Sequence, residues 1–298
     1  MIRRVLLIGA GAIGMLHAVK LAKCPGVSLQ LVADAARRQR YKECGLYFND
    51  EAFDFVFADA PFPAELIIIA TKFPHYREAL DAIAPFVHKE TILLPVLNGI
   101  SSAAIAREAF PQAKVVSGFF LGHASVRTGM RVYHDGVGKT SIGAVDDPDS
   151  AGEVSKVKAL FDAAGIPVDV PCDMRAALWK KFILNIGVNQ TSAFFRADYG
   201  TIQQNRKMLD FAEKLMGEAF AVAQREKVAV SADAVAEAMQ VIRTMPPDAK
   251  TSMLQDVESD RPTEIDLFSG ELLRRAAKYG MTLPANAEVW QKLGVDAK

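Results

Sequence analysis

A short apolar run, Arg4 to Ile8, leads straight into Gly9-Ala10-Gly11-Ala12-Ile13-Gly14, and a helix-forming stretch from Met15 to Lys23 follows. No other feature narrows the fold so far. A strand that is apolar on both faces belongs in a parallel sheet covered by helices. Between such a strand and a helix, the GxGxxG spacing has a mechanical reading. The first glycine allows the tight turn, the second lets a pyrophosphate approach the backbone, and the third lets helix pack on strand. The phosphate then meets the free N–H groups of the helix N-terminus. The chain is therefore expected to begin with a Rossmann-type dinucleotide-binding domain. Gly9, Ala10, Gly11, Ala12, Ile13 and Gly14 are its candidate cofactor contacts.

The segments that follow keep the alternation of strand and helix. Val27 to Ala33 reads as the second strand and ends at Asp34, about twenty residues past Gly14. An acid there would accept a hydrogen bond from the adenosine ribose 2′-OH, which favours NAD(H). Arg37, Arg38 and Arg40 stand close behind, and one of them could pair instead with the 2′-phosphate of NADP(H). Phe53 to Ala58 is a further short strand. Glu65 to Ala70 is a buried one that ends in Thr71-Lys72, and Pro74 suits the first turn of a helix running to Val87. Thr91 to Leu97 is the next strand, closed by Asn98-Gly99, with a helix from about Ser101. Gly9, Asp34, Lys72 and Asn98 thus all stand just past strand C-termini, the edge where an open parallel sheet binds ligands. From Val115 the texture changes. Val115 to Phe120, Met130 to His134 and Thr140 to Ala144 read as antiparallel strands that extend the sheet. A helix from Pro148 to Ala164 and a strand from Ile166 to Val170 complete the half. Pro167 and Pro171 punctuate its end, giving a domain of residues 1–169 and a second of 170–298.

The second domain is expected to be all helical. Asp173 is a fair N-cap for one helix through Phe195. On it Lys181, Asn185 and Asn189 recur at every fourth residue, so at about 100° per residue they share one face. Phe182, Ile183, Ile186 and Val188 clothe much of the rest. A lysine and two amides in register on an apolar helix need polar partners, because unpaired buried polar groups are costly. Beyond a break at Asp198-Tyr199-Gly200, one long helix is expected from Ile202 to Lys227. Another runs from Ser231 to Pro246, and Pro262 suits the first turn of one ending near Gly280.

With 298 residues, half of them hydrophobic, the chain has room for two domains. Lysine plus arginine equals aspartate plus glutamate, so no general field draws nucleic acid or other charged partners. Cys24, Cys44 and Cys172 are scattered and form neither a disulfide framework nor a metal-ligand spacing. The apolar N-terminal run is dense in glycine and lacks the pattern of a cleaved signal peptide. No run is long enough to span a bilayer. The expectation is a cytoplasmic protein that handles a small molecule, with no metal, nucleic acid or membrane.

These residues together resemble the ketopantoate reductase family. The match runs nearly end to end: GxGxxG, Thr71-Lys72, Asn98-Gly99, the Trp179-x-Lys181-x-x-x-Asn185-x-x-x-Asn189 helix, Ser252-Met253-Leu254-Gln255-Asp256 and Thr263-Glu264-Ile265-Asp266. The resemblance implies NADPH-dependent reduction of 2-dehydropantoate, a 2-keto acid, to pantoate, in pantothenate biosynthesis. By position it makes Lys181 the catalytic lysine, with Glu264 able to orient either it or the cofactor ribose. Asn185, Asn189 and Ser252 would hold the substrate with Lys181, while Lys72, Asn98, Ala124 and Glu264 would contact the cofactor. Two positions depart from the pattern. Asp34 stands where a basic residue is usual, which keeps NAD(H) open beside NADP(H), and Tyr199 stands where the family carries a substrate asparagine. A homodimer fits this reading. A reductase of another 2-keto acid and a non-catalytic NAD(P)-binding sensor are the alternatives.

Overall fold

The computed structural model describes residues 2–122, 126–145 and 150–294. By packing, the chain divides into two compact units: Met1–Leu97 with Ser102–Met174, and Asn98–Ser101 with Arg175–Lys298.

The first unit is built on a five-stranded parallel sheet. Strands β1 (Arg4–Ile8) and β2 (Ser28–Val32) flank helix α1 (Ala12–Ala22), and α2 (Ala35–Cys44) follows β2. Strands β3 (Leu46–Phe48) and β4 (Glu51–Phe53) form a hairpin, and the sheet resumes with β5 (Leu66–Ile69). A 3₁₀ turn at Phe73–His75 then leads into α3 (Tyr76–Ile83). Strand β6 (Ile92–Pro95), α4 (Ser102–Ala109) and β7 (Lys114–Val115) complete it, in the order β2-β1-β5-β6-β7. The register sets Val5 against Leu29 on one side and Leu66 on the other.

Side chains alternate between faces along a strand, and here both faces are apolar. Val5, Leu7, Leu66, Ile68, Ile92 and Leu94 join one cluster with Met15 of α1. Leu6, Ile8, Ile67, Ile69 and Leu93 join the other with Leu80 of α3 and Ala106 of α4. This is the helix-covered parallel sheet expected from the uniformly apolar strands.

The remaining strands do not extend that sheet as expected. Strands β8 (Ser117–Gly122), β11 (Gly138–Gly143) and β12 (Val168–Asp169) make one small sheet, in the order β12-β11-β8. Strands β9 (Val126–Thr128) and β10 (Arg131–Tyr133) join the early hairpin in another, β4-β3-β10-β9. The reason is non-local pairing: β10 lies parallel to β3, with Val132 opposite Phe48. The strand expected over Phe53 to Ala58 is reduced to a single bridge between Phe57 and Leu31. Helix α5 (Ala151–Ala163) joins the Val154, Val157, Leu160 and Phe161 side chains to the α1 side of the parallel sheet.

The second unit is helical. Helix α6 (Met174–Phe195) begins one residue past Asp173; its first residue packs with the first unit. The long helix expected from Ile202 is two helices, α7 (Tyr199–Gln204) and α8 (Arg206–Arg225). Asn205 breaks it: its backbone is extended and its side chain accepts hydrogen bonds from Lys207 and Met208 N–H, an N-cap. Helices α9 (Ala234–Thr244) and α10 (Ser252–Glu258) follow, the latter capped by Thr251. Pro262 does not open the next helix. A single π-helical turn, Asp266–Gly270, runs into α11 (Glu271–Ala277), and α12 (Pro284–Leu293) ends the unit. Among the described residues no helix is long and apolar enough to cross a membrane, and no His, Cys, Asp and Glu cluster could hold a metal ion.

Candidate functional site

The glycine loop shows three different spatial demands. Gly9 has φ +98°, and a Cβ there would lie 2.6 Å from the backbone of Ala70, just past the neighbouring strand β5. At Gly14, inside the first turn of α1, a Cβ would fall 1.8 Å from the Gly9 carbonyl oxygen. Both positions are closed by the protein itself. Gly11 is different: a Cβ there would meet nothing nearer than 4.0 Å. Glycine at Gly11 therefore answers to something other than internal packing, and its open backbone fits close approach of a dinucleotide pyrophosphate. Helix α1 begins one residue on, at Ala12, three residues earlier than the sequence suggests. His17 anchors that helix: its ring nitrogens lie 2.8 Å from Ile13 O and 2.9 Å from Thr140 Oγ1. Burial lowers its pKa to about 4, so it stays neutral.

At the end of β2 the acid and the arginines are already engaged. Asp34 caps α2 by accepting from Arg37 N–H at 2.6 Å, and its other oxygen pairs with the Arg37 guanidinium at 3.0 Å. Arg38 turns back into the sheet edge, donating to Ala33 O at 2.8 Å and Ala58 O at 2.6 Å and pairing with Asp59. Arg40 is exposed. Lys72 is exposed at the N-cap position of the 3₁₀ turn after β5. Ala124 lies outside the described residues.

In the second unit a chain of polar groups has formed. Lys181 Nζ donates to Asn98 Oδ1 at 3.0 Å, and Asn98 Nδ2 donates to Glu264 Oε2 at 2.9 Å. Gly99 makes this approach feasible. It has φ +84°, and a Cβ on it would strike Leu267 at 2.6 Å, so only glycine lets the Asn98 loop settle on the π-turn. Behind the chain, buried Gln190 holds α6 to that turn. Ser269 Oγ donates to Gln190 Oε1 at 2.6 Å, while Gln190 Nε2 donates to Asn286 Oδ1 at 3.2 Å. Burial pulls the Lys181 pKa down to about 8, against the opposing pull of the Glu264 carboxylate. An ammonium poised near neutrality beside an acceptor-donor relay can give up a proton without being a strong acid.

Asn185 and Asn189 lie one and two turns on from Lys181, only 9% and 7% exposed. Neither amide side chain hydrogen-bonds a described residue, so both remain available to a polar ligand. Two hydroxyls to which the sequence assigns no role stand near the relay residues in the chain. Ser101 Oγ and Thr263 Oγ1 are buried with no hydrogen-bond partner among the described residues, close in sequence to Asn98 and Glu264 respectively. For Ser101 the sequence offers no signal beyond that adjacency, whereas Thr263 opens the Thr263-Glu264-Ile265-Asp266 pattern. Ser252 is exposed at the start of α10 and takes no part in the relay. Tyr199 opens α7 and is buried; its hydroxyl bonds no described residue, and burial raises its pKa to about 12.

Comparison with known proteins gives consistent matches along the chain. The family model described as ketopantoate reductase PanE/ApbA matches residues 5–147, and that of its C-terminal part matches residues 173–295. The 2-dehydropantoate 2-reductase of Vibrio cholerae is 27% identical, over 97% of this chain and 96% of its own. A ketopantoate reductase structure from Ralstonia eutropha JMP134 superposes with a TM-score of 0.85 at 27% identity, covering 99% of this chain and 98% of its own. A D-mandelate dehydrogenase, in ternary complex with NADH and anilino(oxo)acetate, shares the fold with a TM-score of 0.88 at 20% identity, covering 99% and 98%.

Proposed function

The chain belongs to the ketopantoate reductase PanE/ApbA family, and from that premise we propose that it reduces 2-dehydropantoate to pantoate, with NADP(H) as the preferred cofactor. The Lys181–Asn98–Glu264 relay carries this reading. When bound, the reduced dinucleotide supplies a hydride to the ketone carbon. Negative charge then grows on the ketone oxygen. The Lys181 ammonium is suited to stabilise that charge and to donate the proton. Asn98, a neutral amide, fixes the ammonium without competing for its proton. Glu264 acts through Asn98 and by its charge, keeping Lys181 protonated to higher pH than burial alone would allow. Asn185 and Asn189 would bind the carboxylate and hydroxyl groups of the substrate. Gly11 and its neighbours would receive the pyrophosphate, and Lys72 and Asn98 the rest of the cofactor. Assembly as a homodimer belongs to the same reading.

A related 2-keto acid as substrate is the second reading, and Tyr199 is the observation that favours it. A buried neutral phenol stands where the family carries an asparagine, exchanging an amide for a bulkier and more apolar surface. Purified protein assayed with 2-dehydropantoate and with 2-keto acids of larger apolar side chain, using NADPH and NADH in turn, decides among these. The expected result is highest kcat/KM for 2-dehydropantoate. A higher value for another acid selects the second reading. Cofactor binding with no turnover of any 2-keto acid would leave a sensor.

A further inference from the structure

Within the first unit, the Arg127 guanidinium faces the glycine loop and pairs with no described carboxylate. Arg127 is on β9, held to β10 by pairing with Val132. Its Nε donates to Gly129 O at 2.9 Å, which orients the guanidinium. Its Nη1 donates to Ala10 O at 3.2 Å and lies 4.0 Å from where a Gly11 Cβ would stand. Its Nη2 bonds no described residue. Three other arginines of this unit are committed: Arg37 to Asp34, Arg38 to Asp59 and Arg131 to Asp50.

The loop itself, Gly9 to Gly14, contains no cationic side chain. A pyrophosphate carries two negative charges, and helix-terminal N–H groups supply the equivalent of only about half a positive charge. A guanidinium is the group best shaped to complete this, because its planar fork matches two phosphate oxygens. We propose that Arg127 is a cofactor-binding residue, its guanidinium closing over the pyrophosphate at the open backbone of Ala10 and Gly11. This rests on the dinucleotide reading of the loop. It also assigns Arg127 no part in choosing between NADPH and NADH, since the pyrophosphate is common to both.

The test is titration of wild type, Arg127→Ala and Arg127→Lys with NADPH, NADH, ADP-ribose and 2′-AMP, beside the melting temperature of each protein without ligand. Arg127→Ala is expected to weaken NADPH, NADH and ADP-ribose alike, by about ten- to a hundred-fold, the range for a charged hydrogen bond. Affinity for 2′-AMP, which has no pyrophosphate, should stay within about twofold on the same grounds. Arg127→Lys keeps the charge without the fork and should fall between. Unchanged dinucleotide affinity in a folded variant overturns the proposal. So does loss confined to NADPH, which would place Arg127 on the 2′-phosphate, or equal loss of 2′-AMP, which would make it a support of the loop. If Arg127→Ala does not fold, Arg127→Lys is read by the same criteria. Wild type that binds none of the dinucleotides refutes the cofactor reading itself.

Discussion

Lys181 Nζ and Asn98 Oδ1 stand 3.0 Å apart, so the one amino group in the relay is held by a neutral acceptor. A carboxylate at Asn98 would bind the ammonium more tightly and raise its pKa; the amide fixes its position while leaving its proton transferable.

Replacing Lys181 by alanine removes the proposed acid. The expected outcome is a kcat lower by about two to four orders of magnitude, the usual contribution of a positioned general acid, with cofactor affinity little changed. Steady-state kinetics at saturating substrate, beside cofactor titration, checks both. A kcat within a few-fold of wild type removes Lys181 from the mechanism.

The pH profile should carry the signature of the same group. Reduction needs Lys181 protonated, so kcat should hold below a pH of about 8 and fall above it. Glu264 raises this pKa against the larger effect of burial. Glu264→Gln keeps an oxygen for Asn98 to donate to but loses the charge, so the falling limb should move to lower pH. A limb that stays in place in Glu264→Gln would mean that another group titrates.

Two glycines of one motif should fail in opposite ways. Gly14→Ala puts a methyl 1.8 Å from the Gly9 carbonyl and should destabilise the protein by about 3 kcal/mol or more, as rigid overpacking does. Gly11 has φ −79° and open space around it. Gly11→Val should therefore cost only about 1 kcal/mol of folding free energy, the scale of an unfavourable N-cap, yet abolish cofactor binding. Thermal melting and fluorescence titration separate the two. Tight cofactor binding by folded Gly11→Val would show that the dinucleotide lies elsewhere.

Cofactor choice should turn on Asp34 and Arg37 and hardly at all on Arg38. Asp34→Ala removes the acid that pairs with Arg37, so kcat/KM should rise for NADPH and fall for NADH. Arg37→Ala leaves the acid uncompensated and should do the reverse. Arg38→Ala should shift the ratio by less than about threefold, since its guanidinium is spent on Ala33, Ala58 and Asp59. The ratio of kcat/KM values across the variants settles the point. A wild type that strongly prefers NADH and is unaffected by Arg37→Ala makes Asp34 the sole determinant.

Local patterns in the sequence carried the parallel sheet and the helical second half. Four apolar residues, Val5 to Ile8, before a glycine loop specify β1, because burial on both faces leaves no polar position in the strand after the exposed Arg4. The pairing of β10 with β3 was not legible, because Val132 and Phe48 are joined by no local spacing. The break at Asn205 was hidden for a different reason. The apolar stripe of α8 starts so near that one capping side chain decides where the helix begins. In the second unit, the common face of Lys181, Asn185 and Asn189 follows from a four-residue interval. The hydrogen bond from Asn98 to Glu264 spans 166 residues, and only chain-long resemblance put those two residues on one list.

The π-turn at Asp266–Gly270 is closed by a bond from Gly270 N–H to Ile265 O, five residues back. Such a turn holds one residue more than the α-helical path it replaces. Glu264 stands in a bend just ahead of the turn, its backbone carbonyl accepting from Leu267 and Phe268 N–H, so the extra residue enters the path between it and α11. Deleting a single residue from the turn, while leaving every side chain of the relay in the sequence, would change where Glu264 stands relative to α11. The carboxylate is aimed by a count of residues as much as by its own identity.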